Sequence, residues 1–399
     1  MNKGTYDAVV IGGGMSGLTA AITLCDAGKT VAVISKGDPV CCLSTGCVDI
    51  LNSTDEPFDG ISSLPFGHPY GLVEQDLIIE ACEHFMETAA RGSLPYAGSI
   101  HKNRHLITPI GMKKTTCLVP KTMEHANCDE NEGIHIVSFR GLKDFFPSYI
   151  MLQYSNTGCS IFDASVSSTI GIAERFEDER FRETFADWLS RQHIPEGKIA
   201  IPAVLGIRSS FSIYKELSQR TGRTFFEIPT LPPSLPGIRL FKCMKQAFLA
   251  RGGHLYWGSE IASVEKLGAI IEGVTLKNPG RVGRVQGRAF ILASGSFISG
   301  GLFARMDSVQ ETVFGLPVYY PENRSGWFKD SFFSRGHQIE KAGVEVDSSF
   351  RPLADAPFKN LFICGSIMAR SEVMKYGCGH GLAIATGYAA ARSCEGFVR

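Results

Sequence analysis

The stretch that most narrows the choice of fold is YDAVVIGGGMSGLTAAITLCDAGKTVAVISKGD, from Tyr6 to Asp38. Its DAVVI run is short, apolar and β-branched, consistent with a buried parallel strand. The run passes directly into Gly12-Gly13-Gly14-Met15-Ser16-Gly17, a Gly-x-Gly-x-x-Gly string. Leu18, Ala21, Ile22 and Leu24 then recur at helical spacing up to a stop at Gly28, and TVAVI supplies a second strand. Strand, helix and strand within about thirty residues are the context in which this glycine pattern signals a nucleotide or phosphate site. Gly12 permits the turn, Gly14 lets backbone approach a phosphate, and Gly17 allows close helix–strand packing. The helix start then offers N–H groups and the positive end of its dipole to an anion. The competing reading keeps the glycines for packing alone.

The second strand ends Val33-Ile34-Ser35-Lys36, where a dinucleotide protein would carry Asp or Glu to hold a ribose. Ser35 can make one hydrogen bond there but cannot clamp a vicinal diol as a carboxylate does. Either adenosine is held by other means or the ligand has none.

Later segments fit a two-dinucleotide-type flavoprotein. CCLSTGCVDIL places a Ser44-Thr45-Gly46 loop that would bring backbone near the redox edge of a bound ring. RGGHLYWGSEIASVEKLGAIIEGVTL reads as a glycine turn at Gly252-Gly253 followed by strands and a hairpin. AFILASGSFISGG reads as an apolar strand, and its Ala293-Ser294-Gly295 resembles the Ala-Thr-Gly strand found on the far side of the nucleotide in such proteins. KNLFICGSI gives another strand, with Gly365 and Ser366 opening a loop. GCGHGLAIATGYAAARSC then places Gly379 and Gly381 at the entry to an alanine-rich helix from about Leu382 to Arg392. Such a helix start stabilises negative charge on the pyrimidine end of a reduced flavin.

These motifs predict an α/β fold: a discontinuous Rossmann-like parallel-sheet domain of the FAD/NAD(P)-binding type, with an inserted α+β cap. Residues 1–70 and 230–399 form the nucleotide-binding domain, and residues 71–229 form the cap, in which no Rossmann feature is visible. AERFEDERFRETFADWLSRQ, from Ala173 to Gln192, spaces Phe176, Phe181, Phe185 and Trp188 as a core-facing helical stripe among solvated charges.

Composition excludes several classes. Lys plus Arg and Asp plus Glu are 40 each, so no polyanion partner such as nucleic acid is implied. No apolar run reaches the roughly 18 residues of a membrane span, and no secretory leader pattern opens the chain; it reads as cytosolic. None of the 12 cysteines forms a Cys-x-x-Cys pair, so clusters and zinc ribbons lack support. Cys41, Cys42 and Cys47 form the one tight group. They read as small apolar residues near a loop, with a redox-active disulfide as the lesser alternative.

EIPTLPPSLPGIRL, ILASGSFISGGL and NLFICGSIMA…GCGHGLAIATGYAAA together resemble the B subunit of anaerobic glycerol-3-phosphate dehydrogenase. The likeness spans essentially the whole chain, strongest from about Glu227 to Gly301 and from Pro352 onward. The resemblance implies a complex with two partners: a larger, FAD-bearing catalytic A subunit, and an iron–sulfur C subunit that lies at the membrane. That complex oxidises sn-glycerol 3-phosphate to dihydroxyacetone phosphate and passes electrons to menaquinone. This chain would then be cytoplasmic and held at the inner face of the membrane by a partner. In the family the B subunit is described as an FMN protein, which would suit Ser35, since FMN has no adenosine. FAD held without the acid is the alternative, because a Rossmann glycine turn ordinarily cradles a pyrophosphate.

Oxidation of a secondary alcohol needs a base, a hydride acceptor and cations for the phosphate. Candidates here are weak. His380 stands in the C-terminal glycine loop, where the family tends to have glycine. Arg239 could bind a phosphate or form an internal salt bridge, and Arg324 and Lys329 are equally ambiguous beside a core-forming Trp327 and its phenylalanines. Lys36 is a further candidate phosphate contact. Three readings follow: a flavin-bearing relay subunit, a non-redox scaffold between the A and C subunits, and an independent flavin dehydrogenase of the fumarate-reductase type.

Overall fold

The computed structural model describes residues 4–126, 133–278, 281–331, 333–353 and 358–399. In chain order the principal elements begin with strand β1 (Tyr6–Ile11), helix α1 (Met15–Asp26), strand β2 (Val31–Ser35) and helix α2 (Gln75–Arg91). There follow β3 (Ile134–Phe139), α3 (Pro147–Gln153), β4 (Thr157–Phe162), α4 (Thr169–Phe176) and α5 (Glu179–Ser190). Next come β5 (Lys198–Pro202), α6 (Ser210–Thr221), β6 (Phe225–Ile228) and α7 (Leu235–Ala250). The chain closes with β7 (His254–Trp257), β8 (Glu260–Leu267), β9 (Ile270–Asn278), β10 (Arg281–Leu292), β11 (Leu361–Ile363) and α8 (Gly379–Phe397).

Two compact units result: Met1–Val40, Ile50–Phe85 and Met244–Arg399 form one, and Cys41–Asp49 with Met86–Cys243 form the other. This division differs from the expected 1–70, 71–229 and 230–399. Residues 41–49 join the second unit because Val48 and Leu118 exchange backbone hydrogen bonds of 2.8 and 3.1 Å. The other boundaries fall inside helices α2 and α7, which no change of composition marks.

The first unit is built on the order β7-β2-β1-β10, with β11 beside β10. These strands run parallel, Val10 opposite Val33 and Val9 opposite Phe290. The first half of β10 instead pairs antiparallel with β9, and β9 with β8, giving the expected hairpin connection. Val9, Val10, Ile22, Phe290 and Phe362 are fully buried, each contributing roughly 1.5–3 kcal/mol. Helices α1 and α8 cross where a Cβ on Gly387 would lie 2.5 Å from the Ser16 carbonyl. Helix α8 starts three residues before the expected Leu382 and runs on to Phe397.

The second unit holds a four-stranded sheet in the order β6-β5-β3-β4, every pair parallel. Strands alternate with helices, an organisation that the sequence of 71–229 does not announce. Two short antiparallel pairs, Tyr96–Gly98 with Leu118–Pro120 and Arg104–Ile107 with Lys113–Thr116, complete it. The Ala173–Gln192 stripe forms two helices, because the Asp178 side chain accepts the Arg180 N–H at 3.0 Å and starts α5 anew. Phe176, Phe181 and Phe185 are buried as expected, against Phe139 and Phe162.

Candidate cofactor site

In the first unit the chain runs outward from β1 through β2 to β7, then resumes on the other side of β1 with β10. The order therefore reverses between β1 and β10, and ligands of open α/β sheets bind beyond the strand ends at such a point. Gly12 sits there with φ +118°, where a Cβ would overlap the Ala293 carbonyl. A Cβ on Gly17 would overlap the Gly12 carbonyl, so α1 can pack this closely only through glycine. Gly14 is different: the nearest atom to an added Cβ is Pro39 Cβ at 3.9 Å. It serves as N-cap of α1 without a side-chain hydrogen bond, and the first turn carries no acid. Those N–H groups and the dipole end suit a phosphate.

The loop after β10 closes the far side. Gly295 has φ +73°, and a Cβ there would meet the Ser299 hydroxyl at 2.5 Å and Ser366 Oγ at 3.7 Å. Ser294 Oγ is buried with no hydrogen-bond partner among the described residues. Gly365, φ +81°, lies over Ser16 and donates its N–H to Thr386 Oγ1 at 3.0 Å. Gly12, Gly17, Ala293, Gly295, Gly365 and Ser366 are thus brought together around β1, β10 and β11. Gly379 opens the 19-residue α8, whose first turn has no acid and no side-chain cap, and Gly381 is buried within it. His380, between them, is half-buried.

At the end of β2, Ser35 is buried and donates its hydroxyl to the Gly37 carbonyl at 3.0 Å. Gly13 must be glycine, since a Cβ would come within 2.9 Å of that hydroxyl. Lys36 projects outward and pairs with Glu260 at 2.7 Å. Glu260 was not a sequence candidate; its only signal was its place just beyond the turn after β7.

Ser44, Thr45 and Gly46 belong to the second unit. Ser44 Oγ donates to the Cys41 carbonyl at 2.7 Å and accepts the Gly46 N–H at 3.1 Å, and Gly46, φ +72°, packs on Pro236. The nearby Cys41 and Cys47 are buried, no disulfide occurs among the described residues, and burial pushes the Cys47 thiol up to about 11. That is the state of a packing residue rather than a nucleophile.

Arg239 is not a phosphate ligand. It is 4% exposed, and its guanidinium bonds both Glu227 oxygens at 2.6 and 3.0 Å and the Gly206 carbonyl at 2.8 Å. Glu227 is completed by Thr122 Oγ1 and the Leu205 N–H, so the buried pair is fully satisfied. Arg324 lies over Trp327 and donates to the Arg305 carbonyl, while Lys329 donates to the Arg335 carbonyl. Trp327 is core, but Phe328 and Phe333 are exposed, contrary to expectation, and Phe332 lies outside the described residues.

Residues 7–382 match the family model described as FAD binding domain, and the chain belongs to that family. It is 29% identical to the B subunit of the anaerobic glycerol-3-phosphate dehydrogenase of Vibrio vulnificus, over 98% of this chain and 96% of that protein. To the protein of the same name from Pasteurella multocida it is 27% identical, over 98% of this chain and 99% of that one. The solved 3-ketosteroid delta1-dehydrogenase of Sterolibacterium denitrificans is similar with a TM-score of 0.48 and 14% identity, covering 99% of this chain and 100% of that one. The preference for FMN gains no support, because the matching model is one of FAD binding. Among the described residues no helix is long and apolar enough to cross a membrane.

Proposed function

We propose that this chain is the FAD-carrying B subunit of an anaerobic sn-glycerol-3-phosphate dehydrogenase complex. The observation that carries this reading is the glycine turn at the strand-order reversal, with the start of α1 given no acid and no side-chain cap. Bound there, FAD would supply hydride and electron transfer. The chain's own part is to hold and orient it. The Gly12–Gly14 turn and α1 take the phosphates, the Ala293–Gly295 and Gly365–Ser366 loops flank them, and the start of α8 favours negative charge on the pyrimidine ring.

Partners complete the reaction. With Arg239, a candidate phosphate contact, locked in an internal pair, we assign substrate phosphate binding, and with it abstraction of the hydroxyl proton, to the FAD-bearing A subunit. The iron–sulfur C subunit holds the assembly at the membrane and passes electrons to menaquinone. To test this, the chain is purified alone and with the A subunit, denatured, and the released flavin identified by mass and stoichiometry. One FAD per B chain supports the relay. No flavin beyond that of the A subunit, in either preparation, overturns it and leaves a scaffold.

A further inference from the structure

The strand that should present a ribose-binding carboxylate ends in Ser35, whose hydroxyl is already committed to Gly37. The fold brings a carboxylate beside the end of that strand from another strand. Trp257, the last residue of β7, is in register with Ser35, and the Ser259 N–H donates to the Ser35 carbonyl at 3.1 Å. The turn at Gly258 and Ser259 therefore folds over the end of β2 and delivers Glu260, the first residue of β8. Lys36 Nζ holds Glu260 Oε1 at 2.7 Å, and Oε2 accepts no hydrogen bond among the described residues. Both side chains remain largely exposed, at 75% and 56%.

We infer that Glu260 is the ribose-binding carboxylate of this site, positioned by Lys36 beside the end of β2. The assignment rests on the FAD reading above. An ionised carboxylate accepts from both hydroxyls of a vicinal diol, and an oxygen already bonded to an ammonium keeps a lone pair for a second donor. The hydrogen bond and charge of the Lys36 ammonium favour the ionised form and hold Glu260 below its ordinary value. Being paired, Lys36 is not presented as a reader of a 2′-phosphate. The acid has moved from one strand to its neighbour, so discrimination for an adenosine-bearing flavin is retained without an acid at position 35.

The test compares FAD with FMN, which lacks the adenosine ribose, by quenching of flavin fluorescence on the apo-chain. Glu260→Gln is expected to weaken FAD by about 10- to 100-fold, the loss of charge-assisted hydrogen bonds, with FMN affinity and the apo-chain's melting temperature unchanged. Adding Ser35→Asp to that variant is expected to restore FAD affinity. The assignment is overturned if E260Q binds FAD like the wild type, or if it loses FAD and FMN equally. A wild-type chain that binds neither flavin overturns the FAD reading itself, a different failure from either of these.

Discussion

Two helices of this protein start at comparable places and end up with opposite electrostatics. Helix α1 follows β1 at the strand-order reversal of the first sheet, and α6 follows β5 at the reversal of the second. The start of α1 has a glycine cap, no acid and no side-chain hydrogen bond. The backbone leading into α6 is satisfied from within: Glu177 Oε1 accepts the N–H groups of Ile207 and Arg208 at 2.7 Å and of Ser209 at 3.3 Å. Burial alone would raise the Glu177 carboxyl, but the bonds from Arg208, Ile207 and Ser209 outweigh it and hold it below its ordinary value. Parallel-sheet topology offers an anion position in both units. A carboxylate of the chain's own fills it in the second, whereas the start of α1 in the first has no acid and no side-chain cap.

The largest effect that bears on this contrast lies beneath the second sheet. Arg239→Ala strands the Glu227 charge in the core and is expected to cost about 3–5 kcal/mol in denaturant unfolding. Pairing Glu227→Leu with Arg239→Met should recover most of it. Loss of flavin binding in that stable double variant would contradict a purely internal role. Next comes Gly12→Ala, expected to cost about 2–4 kcal/mol, because φ +118° and the Ala293 carbonyl both oppose a Cβ. Flavin should be lost with it, as read by absorbance of the purified chain.

Glu177→Gln is expected to cost about 1–2 kcal/mol at neutral pH. The sign follows from its depressed pKa: the stabilisation is complete above the unfolded value of 4.5 and is lost as pH falls through the lower folded value. Thermal melts of variant and wild type should therefore differ at pH 7 and converge in acid; a constant difference would rule out the carboxylate's charge as the cause. The smallest effect on stability is expected for Gly14→Ala, about 0.5–1 kcal/mol for a poorer N-cap, since the space beside it is open. Its flavin affinity should nonetheless fall by about tenfold. A variant that melts early but binds flavin normally would reverse the roles given to Gly12 and Gly14.

Much of the first unit was legible because each motif carries its constraint locally. Gly12, Gly17, Gly295 and Gly365 announce positions where backbone crowds backbone or turns with positive φ, and short apolar runs on either side announce buried parallel strands. The second unit was opaque for the complementary reason. Its helix start at α6 is satisfied by Glu177, thirty residues or more away, so no glycine fingerprint is required there. Its strands β5 and β6, 5 and 4 residues long, are no shorter than β11 with 3, but no glycine motif beside them marks them as strands of one sheet. Arg239 shows the same limit: PGIRL reads alike whether the guanidinium faces a phosphate or Glu227.

By itself the sequence determined that the chain begins with a nucleotide-binding β-α-β unit, which later runs join the same sheet, and that position 35 lacks an acid. Those properties reside in residues adjacent in the chain, where φ, side-chain volume and hydrophobic spacing act locally. Tertiary structure decided which charges are spent and which are offered. It buried Arg239 on Glu227, turned Glu177 onto the start of α6 and carried Glu260 to the end of β2, because electrostatic pairing depends on distance in space rather than separation along the chain.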